Sequence, residues 1–342
     1  MFGMTHKGSF LTEKLSTTTP PALSGPFAMA FKLLATCALL AIQAWVSLAN
    51  PLLSSASDFV SEELVRTPGG LVPKSSVHAI PEGARIHHNS THVQLIAADG
   101  SIIHSATTSN KISTRPKITG TPTTVAPRTL QSGYVAYSYW HNTDNTTNGN
   151  IATYSTTWTV PPTPQRKDGQ IIYIFNGLIP ASFDGILQPV LQFGSTPAGG
   201  GNYWAVASWY LVGSQTYYTV PAQVKAGQSL TGVMSLMSTT LNGPTISYHW
   251  KSVFTSVPST AFTLSTTEVF NYAYEALEIY YASGPTDLPT GKTMMSNITI
   301  STVGGTHPAL NWTAISDSVE GFGMSVVSSS STNGAVQITY PA

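Results

Sequence analysis

From Gln131 onward the chain consists of short apolar or alternating runs set between turn residues, and none of them keeps a helical period. The runs cover residues 135–140, 151–160, 171–177, 186–193, 203–211, 229–237, 245–254, 274–281, 295–302 and 336–340. Such even spacing without helices predicts packed antiparallel sheets, most economically a β-sandwich. Composition agrees. Asp, Glu, Lys and Arg make up 9% of the chain, against roughly a quarter in ordinary globular domains. Thr, Ser, Tyr and Trp take their place and favour strands and turns. The 342 residues are enough to bury a sizeable core.

Strand parity assigns faces. In 186–193, Ile186, Gln188, Val190 and Gln192 share one side, while Leu187, Leu191 and Phe193 share the other. In 274–281, Glu278 falls with Tyr274, Ala276 and Tyr280, and Glu275 with Leu277, Ile279 and Tyr281. Pro189, which cannot donate to a ladder, predicts an edge or a bulge.

The N-terminal part reads differently. Residues 31–49 hold one lysine, a short apolar run and small residues at Ser47 and Ala49. This pattern predicts a secretory signal over 29–49, starting at Met29 and cleaved near Asn50, with 1–28 an extension not normally translated. Cys37, the only cysteine, lies in that signal, so the mature protein is expected to have no disulfide and no thiolate metal site. Sequons at Asn89, Asn145, Asn297 and Asn311 fit an exported, extracellular glycoprotein.

Residues 50–104 predict a small α+β pro-segment: a helix over 58–65, ended by Thr67-Pro68-Gly69-Gly70, and a hairpin turning at Ala98-Asp99-Gly100. Residues 105–130 are Thr- and Pro-rich and predict a protease-exposed linker, leaving 131–342 as the sandwich domain. The leader is slightly basic and the remainder acidic, which suggests charge-based docking that acid would release. No basic patch accompanies the aromatics, so no nucleic-acid partner is expected. No membrane association is expected once the signal is gone, and a monomer is anticipated.

His141, His249 and His307 stand isolated in the C-terminal part, and HExxH, CxxC and GxSxG are all absent. Metal hydrolysis and nucleophile-elbow chemistry therefore lack support, and neither metal nor cofactor is expected. Amides and carboxyls among aromatics remain: Gln188, Gln192, Glu275 and Glu278, with Trp204, Trp209 and Tyr210. An ionised glutamate on an aromatic-lined face can activate water, and a nearby glutamine amide can donate to the developing oxyanion. The ordinary alternative is solvated glutamates and glutamines closing sheet edges. Tyr203, Trp204, Trp209, Tyr210, Tyr217 and Tyr218 could equally be core, or a platform stacking sugar rings of a polysaccharide.

The segments STTWTVPPTP at 155–164, ILQ at 186–188, ASWY at 207–210 and ALEIY at 276–280 resemble the glutamic peptidases, that is, the eqolisins and, more loosely, the neprosin-type enzymes. The leader and the 186–210 segment also resemble an uncharacterised group of secreted fungal proteins. The peptidase resemblance implies a secreted proform, a concanavalin-like β-sandwich and acid endopeptidase activity on polypeptides. It implies Gln188 as oxyanion donor and Glu278 as base, with Gln192 or Glu275 in support and Trp204, Trp209 and Tyr210 lining the substrate groove. The chain departs from the eqolisin pattern at Ser208, where those enzymes carry a glutamate, and it lacks their disulfides.

Overall fold

The computed structural model describes residues 62–108 and 133–342. The expected extension, signal and most of the linker lie outside these residues. So do residues 58–61 of the expected helix, whose last two residues, Leu64 and Val65, stand in a strand instead.

The first six strands come from the leader: β1 (Leu64–Thr67), β2 (Gly70–Pro73), β3 (Val77–Ala79), β4 (Arg85–His88), β5 (His92–Ile96) and β6 (Ile102–Thr107). The body supplies β7 (Gly133–His141), β8 (Ile151–Thr159), β9 (Ile171–Pro180), β10 (Gly185–Thr196), β11 (Gly199–Val212), β12 (Gln215–Tyr218) and β13 (Ala222–Gln223). It continues through β14 (Ser229–Asn242), β15 (Thr245–Phe254), β16 (Val257–Thr266), β17 (Phe270–Tyr280) and β18 (Lys292–Thr302). The last three are β19 (Thr313–Ser316), β20 (Gly323–Ser328) and β21 (Gly334–Thr339). Among the described residues there is no α-helix.

Two sheets form the sandwich. One has nine strands, in the order β19-β7-β17-β9-β10-β11-β12-β3, with β13 also paired to β11. The other has ten, in the order β20-β21-β18-β8-β14-β15-β16-β4-β5-β6. Within the body every pairing is antiparallel, whereas the leader joins by two parallel edges, β3 on β12 and β4 on β16. The hairpin predicted around Asp99 is present as β5–β6, which runs on to Thr107 into the stretch expected to be linker. The described leader is thus not a separate module. Ile86, Val93 and Leu95 are fully buried in the same core as Trp158, Phe254 and Leu264.

That core fills the space between the sheets. A second apolar cluster covers the opposite face of the nine-stranded sheet, made of Tyr134, Tyr173, Phe175, Ile186, Val190, Trp209, Tyr274 and Tyr280 among others. All ten positions of β9 are therefore buried, and its sequence IIYIFNGLIP shows no alternation because neither face meets water. Pro189 lies in a central strand, at neither the edge nor the bulge that the sequence suggested. The ladder from β10 to β9 has pairs at Leu187 and Val190 but none at Gln188 or Pro189, so the missing N–H falls in a gap already open. β11 completes the other side, pairing Pro189 with Ser208.

Candidate active site on the outer face of the nine-stranded sheet

Parity separates the sequence-predicted residues as expected for β10 and β17. Gln188, Gln192 and Glu278 alternate with core residues and belong to the outer face, beside Ile186, Val190, Ala276 and Tyr280. Gln192 is paired with Tyr173, and Tyr173 with Glu278, which makes one row across three strands. Gln188 is paired with Trp209 four residues away along β10. Trp209 and Tyr173 meet edge-on at 6.5 Å, and Tyr173 meets Tyr280 at 6.4 Å. The aromatic line therefore runs diagonally over the face, from the Gln188–Trp209 pair to the strand that carries Glu278.

Three predicted residues lie elsewhere. Glu275 points between the sheets, where the Tyr154 hydroxyl is 2.6 Å from its Oε1 and Thr156 donates to the same oxygen. Burial pushes its pKa up to about 8, against the two hydroxyl bonds that pull it down. Trp204 packs against Phe193 at 5.3 Å in the inner core, and Tyr210 hydrogen-bonds His88 there. Neither lines the face that holds Glu278, because both have the opposite parity to Trp209. With Trp204, Tyr210 and Tyr217 in the interior, a sugar-stacking platform loses half of its supposed rings. Further along the outer face, His141 and Tyr272 stack on each other at 4.2 Å and 6°.

Glu278 is fully buried, and a backbone N–H covers it. Gly69, in the turn between β1 and β2, donates to both carboxyl oxygens at 2.9 and 3.0 Å. The Tyr280 hydroxyl donates to Oε1 as well. Arg66 lies over the Tyr280 ring at 4.4 Å and donates to the Tyr281 hydroxyl at 3.1 Å. Burial pushes the Glu278 pKa up to about 7, while the Tyr280 bond, the Gly69 N–H and the Arg66 charge draw it back. Thr67 and Pro68 of the same turn are buried too. Gly69 reaches along the diagonal, since a Cβ built on it would stand 2.8 Å from Leu211 Cδ2, the neighbour of the Gln188–Trp209 pair.

The two amides differ in their commitments. Gln192 Nε2 is turned into the β10–β11 hairpin, 3.2 Å from the Gly199 carbonyl and 3.3 Å from Thr196 Oγ1. Gln188 is fully buried, and neither its Nε2 nor its Oε1 has a partner within the protein. The Tyr134 and Tyr173 hydroxyls and Trp209 Nε1, all on this face, are unpaired as well. Buried polar atoms ordinarily find partners, so this concentration marks a surface suited to a polar ligand. Beside it a cavity of about 620 Å³ opens between the leader hairpin and the β10–β11 turn, lined by Arg66, Lys74, Thr196, Pro197 and Tyr281.

Sequence reading missed Tyr173, Tyr280 and the Gly69 turn. The first two share parity with their neighbours and were legible in principle, whereas Gly69 is 209 residues from Glu278 and leaves no local trace. Among the described residues no group of three or more His, Cys, Asp or Glu could hold a metal ion.

No family model matches the chain, and no curated protein matches it. Among solved structures it is similar to scytalidoglutamic peptidase with a peptide-based transition-state analogue, at a TM-score of 0.39 and 13% identity. A second structure of that peptidase with a transition-state analogue inhibitor gives 0.39 and 12%. SCP-B, an eqolisin-family peptidase in complex with the tripeptide Ala-Ile-His, gives 0.36 and 13%. Each comparison covers 62% of this chain and 100% of the other. At that level the likenesses carry no weight for the chemistry, which rests on the side chains themselves.

Proposed function

We propose that this chain is the precursor of a secreted glutamic-type endopeptidase, with its site occupied by its own leader. Glu278 is the general base that activates water, and Gln188 donates its amide to the oxyanion that forms on the attacked carbonyl. Gln192, held in the β10–β11 hairpin, shapes the same face, and Trp209 and Tyr173 bound the groove. The observation that carries the reading is the Gly69 N–H bound to both oxygens of Glu278. It is a peptide group of a tight turn, lying over a buried carboxyl on the sheet face that also carries an uncommitted carboxamide.

In this state the base is disabled twice. Both carboxyl oxygens are engaged, so neither is open to water. Burial also keeps the carboxyl largely protonated below pH 7. Once the turn leaves and solvent returns, the pKa relaxes toward its ordinary 4.5, and an ionised base becomes available in mild acid. Export is part of the same reading; Asn145, Asn297 and Asn311 are exposed, as glycan acceptors must be.

Digestion of denatured protein in mild acid, after the leader hairpin has been displaced, tests the proposal. Glu278→Gln is expected to lower turnover by about 10²–10⁴-fold and Gln188→Ala by about 10²–10³-fold, while each variant keeps its fold. Full activity in folded Glu278→Gln would sink it.

A further inference from the structure

We propose that His88, together with the stacked pair His78 and His104, forms an acid-sensitive latch that holds leader strands β3–β6 on the body and loosens them as pH falls. Five of the nine histidines of the chain, at 78, 87, 88, 92 and 104, lie in the described leader. Three of them, His78, His88 and His104, carry side-chain hydrogen bonds from β3, β4 and β6 to the body. The ion pair found within the described leader joins Lys74 to Glu63, both leader residues. Across to the body, the Arg66 charge acts on the buried Glu278.

His88 is 3% exposed and ties both sheets at once. Its Nδ1 is 2.7 Å from the Tyr210 hydroxyl on β11 and 3.3 Å from Thr266 Oγ1 on β16. Burial keeps the Tyr210 proton in place, so a neutral His88 accepts from it. A charged His88 would have to reverse that bond, donating to the Tyr210 oxygen, and would place a cation between the sheets, where burial disfavours it. The groups facing His88 are Tyr210, Thr266 and, through space, Asp184; His87 is its neighbour on β4, and Glu268 acts on Tyr210. Only Asp184 favours the cation at His88, and burial outweighs it, so the His88 pKa falls to about 4.

The second contact resists charge through burial and the facing of two rings. The His78 and His104 rings stack at 3.7 Å, and each Nε2 is 3.0 Å from Gln215 Oε1 on β12, with Tyr217 alongside. One carbonyl oxygen takes two N–H donors, and charging both rings would press two cations face to face. Burial lowers the His78 pKa and His104 lowers it further, against the Gln215 bond.

The sign follows. A histidine whose docked pKa is about 4 and whose free value is 6.5 supports docking fully above 6.5 and loses that support between 6.5 and 4. Glu278 under the β1–β2 hairpin acts in the opposite sense, since a protonated carboxyl is easier to bury. The two parts of the leader thus answer acid differently, and it is β3–β6 that lets go. Release of the site as a consequence rests on the peptidase reading; the docking itself does not.

The test uses the full chain with a sequence-specific protease site placed between residues 109 and 132, nicked near neutral pH and then chromatographed from about pH 7 down to about pH 4. The leader fragment is expected to stay with the body at neutral pH. In the Glu278→Gln chain, where the opposing carboxyl is gone, its dissociation constant should rise on the order of a hundredfold on acidification. His88→Gln keeps a hydrogen-bonding side chain that cannot charge, and should hold the leader to lower pH. His78→Gln serves as the second variant should His88→Gln not fold, and Glu278→Gln removes the opposing carboxyl. Loss of the leader at neutral pH, retention down to pH 4 in the Glu278→Gln chain, or release at the same pH there with and without either histidine substitution would overturn the latch. Because leader retention is the readout, an inactive Glu278 leaves this result untouched.

Discussion

A carboxyl that is to act as a base must be desolvated enough to be reactive and hydrogen-bonded enough to ionise. In Glu278 these demands meet in Tyr280, two residues on along β17 and on the same face, whose hydroxyl donates to Oε1. Burial holds the Tyr280 pKa far above 10, so that proton stays available as a donor. Tyr280→Phe removes the bond that most lowers the Glu278 pKa. The acid limb of the kcat/KM profile should then move to higher pH, with activity in mild acid down roughly tenfold, the scale of one lost charge-assisted bond. An unmoved limb would mean that Tyr280 only packs. Parity made this much readable from the residues alone, placing Gln188, Gln192 and Glu278 together and Glu275 apart. The same parity would have divided Trp204 and Tyr210 from Trp209, since even and odd positions of one strand cannot line one groove.

Among the elements, the β1–β2 hairpin differs from the rest of the leader. It forms a sheet of its own, joined to neither large sheet, and reaches the body mainly through its turn. That turn needs glycine. Gly69 has φ +107°, a region that side chains avoid, and a Cβ there would meet Leu211. Gly69→Val should therefore lift the turn off Glu278 and raise turnover of the uncut chain several-fold, read on a denatured protein in mild acid. Unchanged turnover together with a folded variant would show that the hairpin does not occlude the site. Ten of the fifteen body strands were legible because their runs end at turn residues, whereas β12, β13, β16, β19 and β20 were missed. In the leader the β5–β6 hairpin was legible by its turn, whereas β3 and β4 were not, because they take their shape from parallel partners more than 130 residues away. Pro189 misled for a related reason: its rule concerns a missing donor, and the ladder to β9 already lacks a pair there.

At the scale of the molecule, two fully buried carboxyls bias the fold toward acid. Glu275 lies in a row with Ser138 and Asn176, paired with both. Its Oε2, Asn176 Oδ1 and Ser138 Oγ have no hydrogen-bond partner assigned. A protonated Glu275 can donate to one of these oxygens, whereas an ionised one would be a charge between the sheets. With a folded pKa of about 8 against 4.5, it contributes stability that is complete below 4.5 and lost as pH rises to about 8. The loss amounts to about 1.4 kcal/mol per pH unit. The leader histidines act in the opposite direction, but only below 6.5, where His88 begins to charge in the undocked chain. Between 6.5 and 8 the carboxyls are therefore read without that opposition. The melting temperature should fall by a few degrees, on the order of 2–4 °C per kcal/mol for a body of this size. Glu275→Gln keeps an acceptor for Tyr154 and Thr156 and supplies N–H donors that need no proton from solvent. It should flatten the decline above about pH 7, where Glu278 has already ionised. A melting temperature that holds steady from 6.5 to 8 in the wild type would mean that Glu275 is charged inside the sandwich, and that the interior, unlike the outer face, is not adapted to acid.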